Sequence, residues 1–172
     1  RGRFPDQADA ILEPGGGAAF VAIGGEFVPE RAAPPGADLE AAFPGRGDGE
    51  LRLSWPGGGS ARVRELGAMG EGAPAEGALA YAREGGVSFW EEVEGGYEEW
   101  LMLEPGAVRR DRPAAVWEVE GAALIQAGEA VEVADARGAA LRVTAPAAYA
   151  AGGKAIGARL LAEGQRVELW VE

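Results

Sequence analysis

Apolar and polar side chains alternate most clearly between Val87 and Leu103, a stretch that reads as two strands folded back on each other. Glu94-Gly95-Gly96 supplies the turn, because glycine takes the positive φ that a tight hairpin needs. In the second arm Tyr97, Glu99, Leu101 and Leu103 fall on one face, and Glu98, Trp100 and Met102 on the other. Apolar residues on both faces predict burial on both sides at the Trp100–Leu103 end.

The same period-2 pattern recurs along the chain. Ala18 to Ile23 is an apolar strand ended by Gly24-Gly25, and Glu26-Phe27-Val28 continues it. Pro34-Pro35 marks an extended loop. Leu39, Ala41 and Phe43 alternate with acidic residues, Leu51, Leu53 and Trp55 with Arg52 and Ser54, and Arg62 and Arg64 flank Val63. Leu66 to Gly77 carries four glycines and Pro74 and reads as a mobile loop. Beyond the central hairpin, residues 116–120, 124–126, 131–133, 141–143, 155–161 and 167–171 each read as strands, with Trp55, Trp117 and Trp170 expected between sheets. Turn signals return about every 8–12 residues, and no helical period of useful length appears. The expectation is an all-β fold, an antiparallel β-sandwich of jelly-roll-like or Ig-like topology. Residues 1–17 read as a lead-in tail or strand and 18–172 as the sandwich, with two small β subdomains meeting near 66–77 as a variant.

Composition narrows the function classes. A net charge of −12 disfavours nucleic acid and anionic membrane surfaces as partners. No run of about 18 apolar residues is present, so no membrane span is expected. Cysteine, histidine and asparagine are absent, which removes disulfides, the commonest general base and metal ligand, and the Ser–His and Cys–His pairings. The chain starts at Arg1 without a signal-peptide pattern. That suggests a mature or excised piece whose export signal lies elsewhere.

Each candidate motif has a plainer reading beside it. Arg46-Gly47-Asp48 spells an integrin-binding tripeptide, and also an ordinary Gly/Asp turn. Glu91, Glu92, Glu94, Glu98 and Glu99 supply carboxylates for a glycosidase or for calcium, but neighbours on a strand point to opposite faces, and a solvated acidic edge fits better. Lys154, the single lysine, lies in a turn-like Gly152-Gly153-Lys154 with no asparagine for an isopeptide bond. Ser54, Ser60 and Ser88 lack a nucleophile context, and Gly57-Gly58-Gly59-Ser60 lacks the lysine of a phosphate loop. No catalytic residue, cofactor or metal is assigned. Trp90, Tyr97 and Trp100 are candidate stacking platforms for glycans. Phe4, Ile11 and Leu12 form a candidate assembly contact, able to add a strand to a neighbour's sheet edge.

From Phe89 to Ala107 an aromatic strand, an acidic Gly turn, a Tyr/Glu-rich strand and Pro105-Gly106-Ala107 follow in order. Val119-Glu120-Gly121-Ala122, Val133-Ala134-Asp135-Ala136-Arg137-Gly138, Leu141 to Tyr149 and Val167 to Val171 come next. Over roughly Leu51 to Glu172 this resembles the β-rich N-terminal domain that precedes SBBP-type β-propeller and other repeat arrays in large exported proteins of GC-rich bacteria such as myxobacteria. The resemblance implies an all-β fold and a non-catalytic structural or interaction module, extracellular or at the cell surface, adhesive or self-assembling, with other protein domains, copies of itself or glycans as partners. A carbohydrate-binding module is the alternative.

Overall fold

The computed structural model describes residues 19–30, 39–75, 77–138, 140–144 and 146–172. Among them there is no helix. The strands are β1 (Phe20–Ile23), β2 (Glu26–Pro29), β3 (Glu40–Pro44), β4 (Leu51–Trp55), β5 (Gly59–Glu65), β6 (Ala68–Ala75), β7 (Ala78–Arg83), β8 (Gly86–Val93), β9 (Gly96–Leu103), β10 (Ala115–Glu120), β11 (Ala123–Ala127), β12 (Ala130–Ala134), β13 (Ala140–Val143), β14 (Ala148–Tyr149), β15 (Ala155–Ile156), β16 (Ala158–Glu163) and β17 (Arg166–Val171). All pairings are antiparallel, and the all-β sandwich expected from the alternation is the observed fold.

An eight-stranded sheet runs in the order β1-β2-β3-β4-β5-β10-β17-β16. After β5 the chain leaves it to build a four-stranded sheet, β6-β7-β8-β9, and returns as β10 beside β5. It leaves again for the three-stranded sheet β11-β12-β13 and the β14-β15 pair, then closes with the β16–β17 hairpin. The large sheet therefore serves two packing partners.

Each partner seals its own core. Phe20, Ala41, Phe43 and Leu51 of the large sheet meet Leu79 and Tyr81 of β7, with Phe43 and Leu79 almost fully enclosed. Trp55, Ala61, Val119, Leu160, Val167 and Leu169 meet Val131 and Val133 of β12. Burying a side chain of this size contributes about 1.5–3 kcal/mol, so the inward positions dictate the register. Gln126 joins β11 to the edge of β16: its amide nitrogen donates to the Leu160 carbonyl at 3.3 Å, and its oxygen accepts from the Ala162 N–H at 2.8 Å. A side chain there replaces a ladder rung.

Two expectations are corrected. Residues 68–75 are strand β6, not a mobile loop. Gly72 has a packing reason: a Cβ there would lie 2.8 Å from the rings of both Phe27 and Tyr81. The register with β7 shifts between Met69 and Ala73, where Gly70 and Gly72 bond instead to Gly47 and Gly45 of the turn before β4. Trp170 does not lie between sheets. Val167 and Leu169 take the inward positions of β17, so Trp170 projects from the opposite face, where its indole N–H donates to Glu168 at 2.9 Å.

Candidate functional site

Between the two apolar cores lies a buried polar cluster. Ala61, Val63 and Glu65 share the inward face of β5, and Leu79, Tyr81 and Arg83 that of β7, so the alternation carries a carboxylate and a guanidinium inside. Arg83 Nε sits 2.9 Å from Glu65 Oε1, with both side chains at least nine-tenths buried. Ser88 of β8, with no exposed surface, donates from Oγ to Glu65 Oε2 at 3.0 Å. Arg83 also donates to the Ala114 carbonyl at 3.2 Å. Glu99 of β9 completes the group. Its Oε1 is shielded from solvent, and Trp117 of β10 faces it with an indole nitrogen outside standard hydrogen-bond geometry. Burial, and then the neighbouring Glu65 carboxylate, push the Glu99 carboxyl well above the usual carboxylate range. Arg83 and Trp117 act in the opposite direction and are outweighed.

The chemistry open to this cluster is limited by access. A cavity of about 20 Å³ adjoins it, lined by Phe43, Leu51, Glu65, Tyr81, Trp90 and Trp117 among others. That is room for roughly one water, not for a sugar ring. Burial also pushes the Tyr81 phenol up, and its hydroxyl is committed to the Pro44 carbonyl at 2.6 Å. Among the described residues no group of three or more acidic side chains is disposed to hold a metal ion. No helix of the described chain is long and apolar enough to cross a membrane.

The three aromatic platforms expected from the sequence separate. Trp90 and Tyr97 point inward and pack on Phe43, with ring centroids 5.4 and 5.5 Å away. Trp100 lies on the opposite face of the four-stranded sheet, directly across from Phe89. The same face carries Met69, Ala82, Val87 and Met102 in one cross-strand row and Ala73, Ala80, Phe89 and Trp100 in the next. Met69 is 45% exposed, and Phe89, Trp100 and Met102 are half-buried. Glu91 and Glu98 then stand opposite each other across β8 and β9. Partial burial, and then Glu98, raise the Glu91 carboxyl.

The outer face of the eight-stranded sheet is different in kind. Glu118 of β10 pairs with Arg64 on one side and with Arg166 on the other, Arg62 with Glu120, and Arg52 with Glu26. Hydrogen bonds from Arg64 and Arg166 hold the Glu118 carboxyl below its ordinary range. That face neutralises itself.

The remaining motifs are placed as follows. In Arg46-Gly47-Asp48 the arginine Nε donates to the Asp48 carboxylate at 3.1 Å, a bond that holds the Asp48 carboxyl down. Gly47 is buried against β6. The tripeptide is thus a self-paired turn. Lys154 is exposed and lies in the turn between β14 and β15. Phe4, Ile11 and Leu12 fall outside the described residues.

Glu65 and Arg83 are not among the candidates that the sequence offers, Ser88 is one only as a serine without a nucleophile context, and Glu99 only as part of an acidic edge. The available signal was phase: in each strand a charged residue occupies the position that continues an apolar row. Compared with known protein families, with curated proteins and with solved structures, the chain matches none.

Proposed function

We propose that the chain is a non-catalytic structural or interaction module of a larger exported bacterial protein, held outside the cell or on its surface. The observation that carries the interaction role is the contrast between its two outer faces. One is closed by Arg–Glu pairs, while the other presents two apolar rows, one of them ending in an aromatic pair across β8 and the edge strand β9. Apolar patches left outward on a stable domain mark contact surfaces. Support for a non-catalytic role comes from the enclosure of the Glu65–Glu99 cluster beside a cavity too small for a substrate. Export and surface placement rest on the resemblance to domains that precede repeat arrays.

Carbohydrate binding is the second reading, and the Phe89–Trp100 pair is what favours it. Titration of the isolated chain with soluble polysaccharides separates the two. The structural reading expects unchanged tryptophan emission. A saturable shift that disappears in Trp100→Ala supports the glycan reading instead. Protease added to intact cells that carry the tagged full-length protein is expected to cut it; complete protection would contradict surface placement.

A further inference from the structure

The four-stranded sheet is held over the large one by polar contacts that share one charge balance. Glu65 on β5 reaches Arg83 on β7 and Ser88 on β8. Glu99 on β9 lies against the same Glu65 carboxylate, and Trp117 on β10, the register partner of Glu65, faces Glu99. Tyr81 borders the cluster from β7, its hydroxyl bonded to the Pro44 carbonyl. Among the described residues, Glu65, Arg83 and Trp117 are the groups that act on the Glu99 carboxyl. Two carboxyls and one guanidinium sum to zero only while one carboxyl is protonated. With both ionised, a net negative charge is left in the interior, where unpaired charge is strongly disfavoured.

We propose that Glu65, Arg83, Ser88 and Glu99 form an acid-tightened latch between the two sheets, closed by the one proton that the two carboxyls hold between them. Swinging β6–β9 away returns Glu99 to water, where its proton affinity is ordinary. The closed state therefore binds more protons than the open one, from the ordinary carboxylate range up to the raised value of the buried pair. Closure is favoured most at the lower end of that window, weakens as pH rises through it, and levels off above it. Exchange of one proton makes the opening equilibrium rise about tenfold per pH unit within the window. The chain has no histidine and no cysteine, so no side chain of ordinary affinity titrates between about pH 6 and 8 to obscure this.

The test is amide hydrogen exchange on the intact chain from pH 5 to pH 9, with intrinsic exchange rates divided out. Protection in β7, β8 and β9 is expected to fall about tenfold per pH unit and then plateau, while β11–β13 stay level. Glu99→Gln should abolish the slope. Glu91→Gln, which alters the raised carboxyl on the opposite face, should keep it. A flat wild-type profile, a slope that survives Glu99→Gln, or one removed by Glu91→Gln overturns the latch. Should Glu99→Gln not fold, the wild-type urea midpoint decides: it is expected to fall from pH 5 to pH 8, and a level or rising midpoint overturns the proposal.

Discussion

Trp117 and Trp170 sit on adjacent strands in similar alternating runs, yet they face opposite ways. Trp117 is opposite Val167 and packs into the core that Val119 and Leu169 share. Trp170 stands among the outer charges and bonds to Glu168. Trp117→Ala is expected to cost about 3–5 kcal/mol of unfolding free energy. Trp170→Ala should cost under about 1 kcal/mol, as for surface replacements. Urea denaturation of both variants checks the pair, and equal losses would contradict the register. The period of these strands was legible, but the phase of β17 was not: Leu169, Trp170 and Val171 are three consecutive apolar residues, and only Arg166 and Glu168 mark the outer side. Glu65 and Arg83 show the converse. Their positions continue inward rows, but a charged residue there reads as surface until its partner from another strand is seen.

At the scale of elements, the central hairpin was legible because its turn and its alternation agree, and β8 pairs with β9 from Gly86–Leu103 to Val93–Gly96. Strand β6 was not, because Gly72 has a tertiary cause, room for the rings of Phe27 and Tyr81, which no local pattern reveals. The turn that precedes β4 has a cause of the same kind. A Cβ on Gly47 would lie 2.7 Å from the Met69 nitrogen and 2.9 Å from its oxygen, both backbone atoms that cannot rotate away. Gly47→Ala is therefore expected to cost about 1–3 kcal/mol, the usual penalty for overpacking, and to break the bond from the Gly47 N–H to the Gly70 carbonyl. Thermal unfolding measures the loss, and exchange of the Gly47 amide reports the bond. A neutral effect would mean that β6 does not press on this turn.

For the molecule as a whole, two sets of carboxyls pull its stability in opposite directions with pH. Glu118, Asp48 and Asp111 are lowered by arginine hydrogen bonds, so their contribution is present above the ordinary carboxylate range and lost as pH falls through it. Glu99 is raised, so its contribution is full in acid and lost as pH rises. Maximum stability is thus expected near pH 4–5, roughly the ordinary carboxylate range. Salt should flatten the acid limb, which rests on exposed pairs, and leave the alkaline limb, which rests on buried ones. Urea midpoints across pH at two salt concentrations test this, and a maximum at neutral pH would contradict it. The proposed role depends on the outward face of the four-stranded sheet, and the chain's two methionines, Met69 and Met102, both stand on it. Oxidation to the sulfoxide reports how accessible each one is. The most direct measurement is oxidative footprinting of Met69 and Met102 in the isolated chain and in the complete protein on intact cells. Both should oxidise in the isolated chain and be protected in the complete protein, and equal oxidation in the two would contradict an interaction role for this face.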